Sequence, residues 1–328
     1  MRLAPLTTLR LGGPAQRLVE VSSEDELVEA VRSGPSLVLA GGSNVVIADE
    51  GVPGTVVLVR TRGFELVDGL LVVQAGEPWD TVVAWSVANG LQGFECLSGI
   101  PGSTGATPIQ NVGAYGQDIS ETVAWVRVYD AQTGRVETLD AAACGFDYRR
   151  SNFKYHSRWT VLAVAFRLAE STESGPLRYA ELARVLGASV GGRAPLTEVR
   201  AAVLALRRGK GMVIDPDDPD SVSAGSFFTN PILSAEEWSR LPGSPPAFPE
   251  PDGRIKTSAA WLIERSGFTR GYGDGHAGIS SKHTLALVNR GEATTAELMA
   301  LAREIADGVR ATFSVSLVPE PVLVGHAW

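Results

Sequence analysis

The stretch from Ser98 to Asp118, SGIPGSTGATPIQNVGAYGQD, constrains this chain most, because it holds five glycines and two prolines and no charged side chain before Asp118. Glycine is required where the backbone takes positive φ or where another group comes too close for a Cβ, and successive exposed amides form anion-binding concavities. A second glycine turn, Ala40-Gly41-Gly42-Ser43-Asn44, directly follows the apolar run Leu37-Val38-Leu39. Two such loops in one sheet-like region point to a cofactor with a diphosphate. Neither a GxGxxG fingerprint after a strand nor a GxxxxGK[ST] sequence is present, so these loops differ from the two standard nucleotide-phosphate signals.

With 328 residues, 44% hydrophobic and 20% charged, the chain reads as globular and loop-rich, with two or three domains expected. A net charge of −8 argues against a general nucleic-acid or anionic-membrane binder, so an anionic ligand has to be held by local basic residues or by amides. Cys96 and Cys144 lie far apart outside any CxxC pair, and His156, His276, His283 and His326 show no metal-ligand spacing. Buried thiols and no metal are expected. The N-terminus lacks a continuous apolar core and no run of 18 apolar residues occurs, which leads to an expectation of cytoplasmic residence without a membrane partner.

Along the chain, Arg17 to Val21 is strand-like, Ser23 to Val31 opens with a Ser23…Glu26 capping box, and Leu37 to Ala40 and Thr55 to Val59 complete a βαββ unit. A strand from Gly69 to Ala75 precedes a helix from Pro78 to Asn89 that stops at Gly90. Val123 to Asp130 and Arg135 to Leu139 read as a hairpin, and Trp159 to Leu168 as a further strand. After a helix from Thr197 to Arg208 the composition changes, placing a boundary near Lys210. Beyond it come a helix from Ser258 to Ser266 closed by Gly267, a strand from Leu285 to Val288, and an amphipathic helix from Thr294 to Thr312 with a Thr294…Glu297 capping box.

On the residues alone, Arg149 is either a salt-bridged surface guanidinium or a carboxylate ligand, Ser226 either a turn cap or a proton donor, and Glu320, bracketed by Pro319 and Pro321, either an edge-strand carboxylate or a catalytic one. Lys210 belongs to a local basic cluster with Arg207 and Arg208 in an acidic protein, or complements a helix terminus.

LAGGSN at 39–44 and the glycine segment at 98–117 resemble the flavin-binding loops of the UDP-N-acetylenolpyruvoylglucosamine reductases, a family of vanillyl-alcohol-oxidase-like FAD proteins. The resemblance continues in order through TTLRLGGPA at 7–15, FDYRRSNFK at 146–154, AGSFFTNP at 224–231 and LVPEP at 317–321. Thr7 and Leu9 depart from the family's pattern at the opening motif.

The resemblance implies an α+β fold: a two-part PCMH-type FAD-binding region, residues 1–61 and 62–209, and a C-terminal α+β substrate-binding domain, residues 210–313, with 314–328 a candidate to return to the second part. It implies non-covalent FAD bound through Gly41, Gly42, Ser43, Asn44, Gly99, Ile100, Pro101, Gly102, Ser103, Gly105, Gln110, Asn111, Gly113 and Ala114, and a monomer is expected. NADPH is the implied co-substrate and a UDP-sugar the substrate, faced by Tyr148, Tyr179, Lys210, Asn230, Arg270 and His283. Arg149 and Glu320 are implied to act on the substrate's enolpyruvyl carboxylate, and Ser226 to give the proton that completes reduction in peptidoglycan precursor synthesis. Two rivals are an oxidase of the same superfamily, with flavin attached through His or Cys, and a non-catalytic sugar-nucleotide-binding module.

Overall fold

The computed structural model describes residues 1–154 and 156–328 and divides into two compact units. The first comprises residues 1, 15–42 and 52–209; the second comprises residues 2–14, 43–51 and 210–328.

In the first unit, Ala15–Val21, Val52–Val59 and Leu37–Leu39 form a parallel sheet in that order. The connecting helix Glu24–Arg32 starts where Ser23 and Glu26 close a reciprocal capping box, and it buries Leu27 and Val31. A five-stranded antiparallel sheet follows, ordered Arg135–Asp140, Val123–Asp130, Trp159–Phe166, Leu70–Gln74 and Phe64–Val67. Its middle strand, WTVLAVAF, is rich in β-branched and aromatic residues and buried from Val161 to Phe166, as suits a strand covered on both faces. The helix Trp79–Ala88 buries Trp79, Val82, Val83, Ser86 and Val87, an i, i+3, i+4, i+7, i+8 stripe. Trp79 meets Phe94 with centroids 4.7 Å apart, Phe94 meets Phe166 at 4.9 Å, and the Trp79 indole N–H donates to Leu97 O at 3.1 Å. An indole so placed satisfies its one polar atom while filling the core.

In the second unit, Ser223–Ser226, Ala286–Asn289 and Ala277–Ile279 form an antiparallel sheet in that order. Thr295–Phe313 runs beneath a Thr294–Glu297 capping box, and the Asp49 carboxylate accepts from the amides of Thr295 and Ala296, both at 2.9 Å. Leu298, Leu301, Ile305 and Val309 bury its apolar stripe in a core shared with Leu9, Phe227 and Phe228. Gly308 has a tertiary reason to interrupt this helix, since a Cβ there would strike the Phe268 ring. The C-terminal strand Val322–Val324 lies parallel to Val45–Ile47, a partner in the first sixty residues and not within 62–209. No helix among the described residues is long and apolar enough to cross a membrane.

Candidate functional site

In the first unit the two glycine turns abut. A Cβ on Gly41 would lie 2.5 Å from Gly102 Cα and 3.0 Å from Ser103 N, so only glycine allows this approach. Gly99 and Gly102 have φ of +71° and +116°, and Gly42 has +60°. Three backbone bonds tie the loop to the start of the helix Trp79–Ala88: Trp79 N–H to Gly102 O at 3.0 Å, Thr104 N–H to Glu77 O at 2.8 Å, and Gly105 N–H to Ala75 O at 2.8 Å. A Cβ on Gly105 would meet Ala75 Cβ at 2.5 Å. Among the described residues, the N–H groups of Gly41, Gly42, Ile100, Gly102 and Ser103 donate to nothing. Uncharged donors around a close backbone crossing are the donor set that suits a diphosphate, and FAD carries one.

The later part of the segment is braced from Arg149. This residue sits at φ +52°, and its guanidinium donates from Nη1 to Asn111 O at 3.2 Å and to Asp118 Oδ1 at 3.1 Å, and from Nη2 to Gly113 O at 2.6 Å. A Cβ on Gly113 would fall on the Asp118 carboxylate. Asn111, also left-handed at φ +47°, spends its side chain on the Asp147 carbonyl at 3.1 Å and the Ser120 amide at 3.1 Å, which is structural work. Gly113–Ala114 pairs with Gln117–Asp118 as a short hairpin. The Tyr148 ring lies 5.2 Å from Arg149 Cζ, and half-exposed Tyr179 stacks edge-on against Tyr115 at 5.3 Å. Pro101 and Gln110 lie partly buried in the same segment. Asp118 and Tyr115 were missed by sequence reasoning. Tyr115 sits at φ +49°, where a bulky residue is uncommon, and nothing in the residue types around it signals that conformation.

In the second unit, Ser226 ends the strand Ser223–Ser226, opposite Ala286, after Gly225 at φ +73°. Phe227 N–H donates to Leu285 O at 2.7 Å and Phe227 O accepts from Glu320 N–H at 2.8 Å, so Ser226 and Glu320 lie on neighbouring backbone segments, Glu320 just ahead of the strand Val322–Val324. Phe227 and Phe228, each 1% exposed, anchor the strand that presents the serine. Asn44 ties in Glu320 as well: its Nδ2 donates to Glu320 O at 3.4 Å and its carbonyl accepts from Val322 N–H at 3.0 Å. Ser43 and Asn44 thus belong to the unit of Glu320, and Gly41 and Gly42 to that of the glycine segment.

The remaining polar candidates in this unit are spread more widely. The Asn230 carboxamide accepts from Ala259 N–H at 2.9 Å at the start of the helix Ala259–Arg265. His283 lies in the turn between Ala277–Ile279 and Ala286–Asn289, its amide donating to Ser280 Oγ at 3.2 Å. That turn is strapped by Ser281 Oγ to Asp220 at 2.6 Å and by Lys282 to Asp218 at 2.8 Å. Lys210 is partly buried and Arg270 is exposed.

Comparison with known proteins agrees with this division. A family model for an FAD binding domain matches residues 15–140, and one for the UDP-N-acetylenolpyruvoylglucosamine reductase C-terminal domain matches residues 217–324. The UDP-N-acetylenolpyruvoylglucosamine reductase of Thermobifida fusca is 58% identical over 98% of this chain and 96% of its own length, and that of Mycobacterium sp. (strain MCS) is 50% identical over 98% and 95%. The crystal structure of the Thermus caldophilus reductase superposes with a TM-score of 0.71 at 25% identity, covering 99% of this chain and 97% of that one. The chain therefore belongs to the UDP-N-acetylenolpyruvoylglucosamine reductase family, with an FAD-binding domain ahead of the family's C-terminal domain.

Proposed function

We propose that this protein is the FAD-dependent reductase that uses NADPH to convert UDP-N-acetyl-3-O-(1-carboxyvinyl)-glucosamine to UDP-N-acetylmuramate, a peptidoglycan precursor step. The observation that carries the reading is the crossing of Gly41 on Gly102 inside the segment matched as FAD-binding, with five amides donating to nothing among the described residues. Bound FAD supplies the two-electron chemistry that links NADPH to the vinyl group of the sugar. Gly41, Gly42 and the amides of Ile100, Gly102 and Ser103 hold its diphosphate. Attachment is non-covalent: residues 98–118 contain neither Cys nor His, and burial pushes the Cys96 thiol up to about 12, far from a thiolate.

Ser226 gives a proton to the carbon that bears the carboxylate, and Arg149 and Glu320 stabilise the charge that develops on that carboxylate. A serine hydroxyl is a weak acid, so this role requires a strongly basic acceptor and a fixed cation for the alkoxide. Tyr148, Tyr179, Lys210, Asn230, Arg270 and His283 face the UDP-sugar. Residues 1–61 and 62–209 serve FAD and residues 210–313 serve the sugar nucleotide, in a monomer of the cytoplasm, so sedimentation should give the mass of one 34.6 kDa chain.

Purified protein should be yellow, bleach on anaerobic NADPH and regain colour on addition of the enolpyruvyl UDP-sugar. Ser226→Ala should leave the bleaching near normal and slow the recovery by about 100- to 1,000-fold, the usual loss for one group that meets developing charge. Colourless protein would end the flavin reading, and equal slowing of both steps would end the proton-donor role.

A further inference from the structure

The helix Leu196–Gly209 carries Arg200 and Arg207 seven residues apart, two turns along one face. Arg200 holds the Asp80 carboxylate in a two-pronged ion pair, Nη1 to Oδ1 at 2.7 Å and Nη2 to Oδ2 at 2.8 Å. Asp80, in the first turn of the helix Trp79–Ala88, also accepts at Oδ1 from the Gly99 amide at 2.6 Å. Gly99 is the first left-handed glycine of the cofactor segment. A chain of direct contacts therefore runs from one helix, through an ion pair, into the loop.

Two consequences follow from this geometry. The Gly99 N–H is taken by Asp80 and its peptide plane is fixed, which sets the direction of the chain through Ile100, Gly102 and Ser103, whose amides donate to nothing among the described residues. A carboxylate bonded to the loop also opposes any anion bound there. Arg200, its side chain only 17% exposed, cancels that charge where it arises.

We infer that Asp80 and Arg200 form a positioning pair for the diphosphate of FAD, the carboxylate orienting the loop amides and the guanidinium removing the carboxylate's repulsion of the anion. The inference rests on the FAD reading above. It assigns opposite electrostatic signs to two residues that a purely architectural brace would treat alike.

Serial dilution of the holoenzyme, with released FAD read by recovery of its fluorescence, tests it. Arg200→Met leaves the Asp80 carboxylate without its ion-pair partner, with only the Gly99 amide and the field of Arg207 to offset it, and should raise the FAD Kd about tenfold. Asp80→Asn/Arg200→Met should recover several-fold of that loss, because a neutral carboxamide still accepts from Gly99. Asp80→Asn alone, which leaves the guanidinium unopposed, should bind FAD at least as tightly as wild type at low salt, and Arg200→Lys, which keeps the charge but loses the two-pronged bond, should fall between wild type and Arg200→Met. If Arg200→Met does not fold, Asp80→Asn decides alone, since a brace predicts weaker binding. A double variant no tighter than Arg200→Met, a weakened Asp80→Asn, or an unchanged Kd throughout overturns the inference. Wild-type protein without flavin would instead overturn the functional reading itself.

Discussion

Gly41→Ala puts the crossing of the two glycine turns to the test. The new methyl would sit 2.5 Å from Gly102 Cα, 2.9 Å from Gly102 C and 3.0 Å from Ser103 N, against an ordinary contact of at least 3.4 Å. The loops would have to part by 3.4 − 2.5 = 0.9 Å, and all three obstructing atoms are main chain, so no rotamer change can absorb the shift. Gly102 cannot retreat freely, because its carbonyl accepts from Trp79 N–H at 3.0 Å and the next residues are bonded to Glu77 and Ala75. Overpacking of this kind costs about 1–3 kcal/mol, and if that strain falls on the bound geometry of the loop the FAD Kd rises by roughly five- to 150-fold. The assay is bound flavin per protein from the visible spectrum, with Kd from dilution and Tm from thermal unfolding. Gly209→Ala is the control, since a Cβ there meets nothing within 4 Å and the residue sits in the helix Leu196–Gly209. Full flavin content and unchanged Kd in Gly41→Ala, with Tm equal to wild type, would refute the claim that these loops meet at main-chain distance.

Other outcomes follow from the same structure. Trp79→Ala removes a fully buried indole packed on Phe94 and Phe166 and should destabilise the protein by about 3–5 kcal/mol in denaturant titration; a loss below 1 kcal/mol would mean that the site collapses without penalty. Burial raises the Asp80 carboxyl, but the Arg200 and Gly99 hydrogen bonds outweigh it and hold its pKa below the ordinary carboxylate value. The stability linked to Asp80 is therefore fully present above the unfolded value, about pH 3.9, and is lost as pH falls through the lower folded value. Asp80→Asn should flatten that part of the acid limb, and an acid limb identical to wild type would contradict the ion pair. Burial pushes both thiols up to about 12, so iodoacetamide at pH 8 should label Cys96 and Cys144 only after unfolding. Rapid labelling of the folded protein would refute their burial.

Much of the fold was legible because its signals are local. The reciprocal caps at Ser23 and Thr294 stand where the S/T-x-x-E spacing puts them, and the strands Val123–Asp130 and Arg135–Asp140 pair across the expected turn. The stop at Gly90 is a left-handed glycine, φ +66°. Leu37–Leu39 was legible as an apolar run before a glycine turn, but Val45–Ile47 was not: three residues show no period, and their partner, Val322–Val324, comes from the other end of the chain. For the site, glycine content announced the loops because positive φ and close approach leave a compositional trace. The ties that shape those loops, Asp80 to Gly99 and Arg149 to Gly113, leave none, since any Asp or Arg in the sequence could have made them.

Arg149 shows how the two kinds of reading fit together. The sequence singles it out only through resemblance, as a carboxylate ligand, while the structure displays it bonded to the carbonyls of Asn111 and Gly113 and to Asp118. On the proposed function these are not rival roles. An arginine is a flexible side chain with high rotamer entropy, and a guanidinium pinned by two main-chain carbonyls meets an anion without a search through rotamers. Its anchor points are themselves held: Asn111 by Ser120 and Asp147, and Gly113 by a hairpin that tolerates no Cβ against Asp118. Asp118 moderates the field of the cation and fixes its direction, so the charge is arranged before any substrate arrives. Preorganised charge is what stabilises a developing carbanion's carboxylate, because no reorganisation is then required at the moment of reaction. On that reading the glycine segment shapes two things through one backbone, the amides at its start that donate to nothing among the described residues and are proposed to take a diphosphate, and the arginine held at its end.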